Sequence, residues 1–182
     1  MNVEVVPHNP LWQTVFQEES AKIAAAMGDN CVAIHHIDST SIPTIYAKPI
    51  IDMLVEVKNI MDVDVQKTVL EQLGYEAMGE FGIPGRRYFR KHNSAGIRTH
   101  HIHAFQTGSE EITRHLAFRD YMIAHPVDAQ QYSNLKRLLA KKYPQDIDQY
   151  MDGKDAFIRD IDCKVAHNGV TPKGLSNTVK SA

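Results

Sequence analysis

The sequence predicts an α+β domain: a small mixed sheet with helices packed on it and a helical C-terminal segment. Three observations carry that prediction. Up to Phe105 the apolar residues come mainly in short runs bounded by turn residues. From Glu110 onward they recur at helical spacing in three successive segments. The length, 182 residues with 43% hydrophobic and 23% charged, suits one domain with one core, and neither an internal repeat nor a linker interrupts it.

The elements follow in order. Residues 3–6 are a short strand candidate and residues 7–10 a turn. Asn9 is placed to cap a helix with Pro10 at its first position. Leu11, Trp12, Val15, Phe16, Ile23 and Met27 then recur at helical spacing, and Gly28 ends the pattern. Residues 31–37 read as a strand, and residues 38–47 as a loop rich in Ser, Thr and Pro. Residues 50–57 form an apolar strand interrupted by Asp52 and Glu56. Asp62 or Asp64 opens a helix through Leu73, which Gly74 closes. Residues 75–78 are another strand candidate. Residues 86–91 and 99–105 look like a hairpin joined by the turn-rich residues 92–96. Helices follow over 110–124, 128–142 and 146–166, each near a capping Ser or Asp. The expected arrangement places helices on one face of the sheet. Residues 167–182, poor in large apolar residues, read as a flexible tail beyond a domain of residues 1–166.

Composition narrows the function. A formal net charge of -2 gives no global basic field, so nucleic acid is not indicated as a partner. The two cysteines, Cys31 and Cys163, have no CxxC spacing and form neither a disulfide framework nor a cysteine zinc site. The apolar runs fall short of the ~20 residues of a membrane helix, and the first residues lack a signal-peptide pattern. No membrane partner is expected, and the cytoplasm is the default location.

The segment with most chemistry runs from Ser39 to Asp52. A carboxylate in a strand buried on both faces needs a partner or a metal, because a lone buried charge is costly. Asp52 and Glu56 point to one face, with Leu54 between them. The loop before Asp52 carries three consecutive hydroxyls, Ser39, Thr40 and Ser41. Hydroxyls and loop N–H groups suit phosphate, and a carboxylate beside them suits Mg²⁺. Spacing alone leaves the alternative open that these residues are an ordinary turn and an ordinary strand-end acid.

Residues 36–43, His-Ile-Asp-Ser-Thr-Ser-Ile-Pro, and residues 47–55, Ala-Lys-Pro-Ile-Ile-Asp-Met-Leu-Val, resemble the hallmark stretch of the GrpB (UPF0157-type) family. That family is a branch of the nucleotidyltransferase superfamily. Further similarities fall in the same order at residues 7–12, 16–19, 74–75, 101–103 and 118–121 and at Lys136, covering roughly residues 1–166. The resemblance implies a nucleotidyltransferase-type sheet, a Ser loop gripping a triphosphate, and strand carboxylates holding divalent metal. It implies as partners a nucleoside triphosphate and an acceptor of unknown identity. Two departures matter. The superfamily's second acid, two residues after the first, is Leu54 here. The family's loop glycines are Asp38 and Thr44, and an Asp near a triphosphate adds repulsion on the order of 1–4 kcal/mol at ~4 Å.

His100, His101 and His103 crowd one strand, with His101 and His103 on one face. A His-x-His pair is a familiar metal-ligand spacing. The superfamily takes a further carboxylate from a later strand, and this pair is the candidate for that place beside Asp52. The expected cofactor is Mg²⁺ or Mn²⁺, with Zn²⁺ a further option because nitrogen ligands favour it. The alternative is a pair of hydrogen-bonded core or surface histidines. Residues 81–109 hold no acid but contain Arg86, Arg87, Arg90, Lys91 and Arg98. One face of that hairpin, carrying either Arg87 and Lys91 or Arg86 and Arg90, suits a polyanion; the bland alternative is a protected edge strand.

The reading assigns Asp52 as catalytic and metal-binding, with His101 and His103 completing the metal site. Ser39, Thr40, Ser41, Lys48, Arg87, Lys91 and Lys136 are the candidates for phosphate. Glu19, which matches a family acid, is a further candidate for the cleft, and Arg119–Asp120 is either a site element or a structural bridge. The expected activity is metal-dependent transfer of a nucleoside monophosphate from the triphosphate to the acceptor. The alternatives are a nucleotide-binding protein without catalysis and a metal-dependent phosphohydrolase.

Overall fold

The computed structural model describes residues 2–168 and the backbone of residues 178–180. Helix α1 (Leu11–Met27) begins one residue later than Pro10 as first residue would require. Pro10 occupies the cap position, and Asn9 Oδ1 accepts from Leu11 N at 3.0 Å. Strand β1 (Cys31–Ile37) runs into a 3-10 turn at Ser39–Ser41, and β2 (Ile51–Val57) follows. Residues 3–6 contribute only an isolated bridge, Val6 to Ala47.

The helix expected from Asp62 or Asp64 starts earlier and is broken. Asn59 caps α2 (Ile60–Val65) by accepting from Met61 N, and α3 (Lys67–Gln72) resumes after Gln66. Asn outcompetes Asp for the cap because it stands where the chain leaves extended geometry. Strand β3 (Tyr75–Ala77) precedes the hairpin of β4 (Arg87–His92) and β5 (Arg98–Gln106). Helices α4 (Glu110–Ala124), α5 (Pro126–Lys142) and α6 (Ile147–Asn168) close the chain. Pro126 at the first position of α5 explains its start ahead of Asp128. A last strand, β6 (Thr178–Lys180), pairs with β1, and most of the tail expected over 167–182 lies outside the described residues.

The six strands lie in the order β3-β4-β5-β2-β1-β6. Among the described residues only the β2–β5 pair is parallel; it sets Asp52 opposite His101 and Leu54 opposite His103. The β4–β5 ladder is antiparallel and sets Tyr88 opposite His103 and Arg90 opposite His101.

Helices cover both faces of the sheet rather than one. On one face Phe16, Ile23, Val63 and Leu70 from α1, α2 and α3 pack on Ile34, Met53, Val55, Phe89 and Ile102. On the other, Ile112 and Leu116 of α4 pack on Ile37, Leu54 and Phe105. The reason is the strand sequence: β1 and β2 are apolar on both sides, so each side needs a cover. Helices α5 and α6 then pack on α4 and on the loop residues Ile42 and Ile45, through Tyr132 and Ile161. A cleft residue must therefore sit on the α4 face, near the start of β2.

Candidate functional site

The loop after β1 is built under backbone strain. Asp38 has φ 58 and ψ -159, and Thr44 has φ 69. Residues other than Gly rarely adopt such angles, at a cost of about 1–3 kcal/mol each. These are the two positions at which the resembled pattern has glycine, so the loop keeps a glycine shape without the glycines. Its hydroxyls divide. Thr40 Oγ1 donates to Ile50 O at 3.0 Å and meets His36 Nε2 at 2.9 Å. Thr40 has one hydroxyl proton, already given to Ile50, so His36 Nε2 is the donor in that contact. Burial lowers the His36 pKa to about 4, which keeps the ring neutral. Ser41 Oγ donates to Asp38 O at 2.5 Å and is buried. Thr40 and Ser41 thus hold the loop shape. Ser39 is half-buried and lies beside Tyr132 of α5, the ring next to Lys136.

Asp52 stands beside this loop on β2. Its Oδ1 lies 3.1 Å from His101 Nδ1 and 3.1 Å from His103 Nε2. Burial pushes the Asp52 carboxyl up, but the hydrogen bonds and charges of the two histidines outweigh it, and its pKa falls well below the usual carboxylate range. His103 turns its other nitrogen, Nδ1, to Arg86 Nη1 at 3.3 Å. A guanidinium only donates, so Nδ1 accepts and Nε2–H donates to Asp52. Arg86 also donates to Glu80 O at 3.1 Å and Phe81 O at 2.7 Å and lies 4.9 Å from the Tyr88 ring centroid. His115 of α4 faces the same cleft, 3.8 Å from Asp38 Oδ1 and with its ring 6.1 Å from that of His103.

Three lysines form the other wall. Lys136 of α5 is 1% exposed, its Nζ has no hydrogen-bond partner, and it sits 4.5 Å from the Tyr132 centroid. Lys154 of α6 is also buried, 4.6 Å from the Tyr150 centroid, and Lys48 reaches the same ring at 5.5 Å. Burial, then the charge of Lys154, lowers the Lys136 pKa to about 7. Burial, then Lys48, lowers that of Lys154 to about 8. Burial lowers Lys48 as well, against the attraction of Asp52.

Of the phosphate candidates, Ser39, Lys48 and Lys136 are brought to this cleft. Arg87 and Lys91 are not. Their strand parity puts them on the α1–α3 face, where Arg87 makes a two-pronged pair with Asp64 (2.7 and 3.1 Å) and Lys91 meets Glu19 at 2.7 Å. Glu19 lies on that face too, accepting from Tyr75 Oη at 2.8 Å. The alternative pair splits. Arg86 reaches His103, whereas Arg90 pairs with Glu76 at 2.7 Å. Arg119 donates to Asp120 at 2.9 Å and to His36 O at 3.1 Å, so the pair is a buried brace between α4 and β1. Sequence reasoning missed Lys154 and His115. Only the helical phase of α4 and α6, which turns both inward, signals them.

Asp52, His101 and His103 offer ligand atoms within 4.8 Å of one another, a group that could hold a metal ion. One carboxylate and two imidazoles suit Mn²⁺, Fe²⁺ or Zn²⁺. His101 fits directly: its Nδ1 faces Asp52, and its buried Nε2 has no hydrogen-bond partner. His103 joins only when Arg86 releases Nδ1, since a ligating histidine keeps its proton on the outer nitrogen.

A family model described as GrpB protein matches residues 2–164. The UPF0157 protein YqkA of Bacillus subtilis (strain 168) is 46% identical over 157 residues, covering 86% of this chain and 45% of that protein. The glutamate-rich protein GrpB of Alkalihalophilus pseudofirmus is 33% identical over 162 residues, covering 87% of this chain and 93% of that one. The chain thus spans under half of YqkA and nearly all of the second relative. The crystal structure of conserved protein GrpB from Enterococcus faecalis superposes with a TM-score of 0.86 at 44% identity, covering 91% of this chain and 99% of that one. Terminal uridylyl transferase 4 from Trypanosoma brucei, solved with bound dUTP, superposes with a TM-score of 0.55 at 11% identity, over 90% of this chain and 55% of that one. The second superposition makes the fold nucleotidyltransferase-like.

Proposed function

This chain belongs to the GrpB family, and from that premise we propose that it is a metal-dependent nucleotidyltransferase. It moves a nucleoside monophosphate from a nucleoside triphosphate to an acceptor. The observation that carries this reading is the pairing of the Asp52 group with three lysines, Lys136 and Lys154 buried and Lys48 half-buried, that are free of salt bridges among the described residues. A carboxylate beside imidazoles supplies a metal position, and unpaired ammonium groups supply a phosphate position. The triphosphate-bearing relative of this fold, solved with dUTP, makes a nucleotide the natural ligand class.

In this reading Lys48 and Lys136 hold the phosphates, and Ser39 donates to a phosphate oxygen. Asp52 and His101 would hold the metal, with His103 as a further ligand once its Nδ1 is free of Arg86. The metal, when bound, stabilises charge on the transferred and leaving phosphates. The acceptor oxygen bonds to the α-phosphorus, the bond to the bridging oxygen breaks, and pyrophosphate leaves.

The test is incubation with α-labelled nucleoside triphosphates, Mn²⁺ or Mg²⁺ and a cell-derived acceptor pool. Label in an acceptor together with pyrophosphate release is expected, with loss of at least a hundredfold in Asp52→Asn. Full activity in Asp52→Asn removes the mechanism. A second reading, nucleotide binding without turnover, is favoured by Leu54: it is wholly buried where a second metal-binding acid is needed. Tight nucleotide binding with no labelled acceptor and no pyrophosphate supports that reading. Free phosphate or monophosphate without acceptor points to a hydrolase.

A further inference from the structure

The loop between β3 and β4 holds one aromatic side chain outward at the edge of the Asp52 group. Phe81 is 56% exposed and adopts φ 48, a left-handed backbone that a bulky residue rarely takes. The other left-handed positions of this loop, Gly79, Gly82 and Gly85, are glycines. Neither burial nor backbone preference accounts for a phenylalanine there, and strained positions of this kind cluster at ligand sites. The loop is pinned. Tyr88 N donates to Gly79 O at 2.8 Å, Gly85 N donates to the Glu80 carboxylate, and Arg86 donates to Phe81 O at 2.7 Å. The Phe81 ring stacks on Tyr88, with centroids 5.1 Å apart and planes at 20°. Tyr88 in turn lies 5.4 Å from the His101 ring and 5.3 Å from the His103 ring, the two histidines that flank Asp52. Phe81 therefore ends a line of rings that starts beside Asp52 and runs out to solvent.

Strand order places Asp52 on β2, between β1 and the β5–β4 hairpin. The lysine-bearing helices α5 and α6 pack on Ile42 and Ile45 of the loop after β1. Tyr88 of β4, with Phe81 stacked on it, stands across Asp52 from that loop. In-line transfer puts the attacking oxygen and the leaving pyrophosphate on opposite sides of the phosphorus. With pyrophosphate on the lysine side, the attacking hydroxyl enters from the Phe81 side.

We propose that Phe81, backed by Tyr88, is the platform of the acceptor subsite, and that the acceptor is a single nucleoside unit. Its base stacks on Phe81 and its ribose hydroxyl turns towards Asp52. The assignment rests on the nucleotidyl-transfer reading for the direction of attack; the ring platform itself does not depend on it. Phe81 stands between exposed Glu80 and Gly82, so it offers a face for stacking a planar ring rather than a groove for aliphatic surface. The Tyr88 and His103 rings lie between Phe81 and Asp52, which leaves length for the sugar and the transferred phosphate. A net charge of -2 provides no field for a longer strand.

The test measures binding of adenosine and uridine to the full chain, with ribose as the ring-free control. Inorganic tripolyphosphate is present to occupy the lysine side without supplying a second base. In Phe81→Trp the introduced indole reports stacking, since the natural tryptophan, Trp12, is buried on the α1 face. Quenching by the nucleosides and none by ribose is expected. Phe81→Gly and Phe81→Asn are expected to lose at least tenfold in nucleoside affinity by calorimetry. Their melting transitions should stay at or above the parent's, because both residues accept left-handed backbone and both keep the carbonyl that Arg86 holds. A purely structural ring would give the reverse, lower melting and unchanged affinity. No quenching, unchanged nucleoside affinity in both variants, or equal affinity for ribose and the nucleosides overturns the assignment. Tenfold tighter binding of a short oligonucleotide overturns the single-unit part of it. The two readings fail separately. Labelled transfer to an acceptor whose KM is unchanged in Phe81→Gly leaves the transferase and removes the subsite. Phe81-dependent nucleoside binding without transfer or pyrophosphate release leaves the platform and removes the transferase.

Discussion

Replacing Lys136 with Met is expected to make the ligand-free protein more stable while destroying its anion site. The Lys136 amine is 1% exposed and without a hydrogen-bond partner, and burial lowers its pKa from 10.5 to about 7. The difference, 10.5 minus about 7, corresponds to roughly 5 kcal/mol at 1.36 kcal/mol per decade, an order-of-magnitude penalty on the charged folded state. The unfolded chain keeps this proton up to about pH 10.5 and the folded chain only to about 7, so stability rises with pH between them. Below about pH 7 the penalty is complete. At pH 9 it has fallen to about 2 kcal/mol, from the remaining 10.5 minus 9. Replacing buried ionic groups with apolar ones of similar volume gains about 1–4 kcal/mol. Lys136→Met is therefore expected to gain about 1–4 kcal/mol near pH 6, an advantage that shrinks by about 3 kcal/mol towards pH 9. Each kcal/mol moves the melting midpoint of a chain this size by roughly 2–4 °C. Urea titrations of both proteins at three pH values, free of metal and phosphate, measure it. A variant less stable than the parent at pH 6, or a difference that does not change with pH, refutes the reasoning.

Arg87→Ala is expected to cost at most about 1 kcal/mol because its ion pair with Asp64 is exposed. Lys91→Ala is expected to cost about 1–3 kcal/mol because it strips a partner from buried Glu19. Neither changes tripolyphosphate affinity; a tenfold loss in either would place that residue on the cleft. For metal, dialysis of untagged protein against Mn²⁺ or Zn²⁺ should show binding that His101→Ala abolishes. Arg86→Met should strengthen it by freeing His103 Nδ1 and removing a positive charge, and weaker binding in that variant would contradict the tautomer assignment. Asp38→Gly relieves a left-handed backbone, with strain of about 1–3 kcal/mol set against about 0.4–1 kcal/mol of added unfolded-state entropy. It also removes a carboxylate from the anion site, so calorimetry should show tighter tripolyphosphate binding. Weaker binding would mean that Asp38 assists the ligand.

Residue parity made much of the site legible, and the part it left open has a definite cause. Asp52, His101 and His103 each had a face fixed by alternation, and the parallel β2–β5 register brings those faces together. Alternation also divided Arg86 and Arg90 from Arg87 and Lys91, without saying which pair shares the face of the histidines. The β4–β5 register settles that, and it contains an irregularity between Lys91 and His92 that no count of turn residues reveals. The family pattern pointed to Lys136 but to nothing on α6, whose inward phase comes from Gly153 packing on Leu139. Hydroxyls were the harder case. Ser39, Thr40 and Ser41 are adjacent and chemically alike, yet the protons of Thr40 and Ser41 are committed to Ile50 O and Asp38 O. Only a three-dimensional hydrogen-bond count separates the residue that faces the cleft from the two that shape it.

Charge placement in the cleft has a consequence for how ligand and fold depend on each other. Two buried cations, Lys136 and Lys154, without salt bridges among the described residues weaken the empty protein, and the strained Asp38 and Thr44 weaken it further. An anion that pairs with the lysines removes the first cost and leaves the second. Binding should therefore raise the Lys136 pKa above about 7 and the Lys154 pKa above about 8, drawing protons from solution at pH 8. Calorimetry in buffers of different ionisation enthalpy would read that uptake directly. Uptake of up to about 1.4 protons, about 0.9 by Lys136 and about 0.5 by Lys154, lost in Lys136→Met and Lys154→Met together, is the expected result. Binding with no proton uptake at pH 8 would mean that the lysines are already fully charged in the empty cleft, and the stability argument for their function would fall with it.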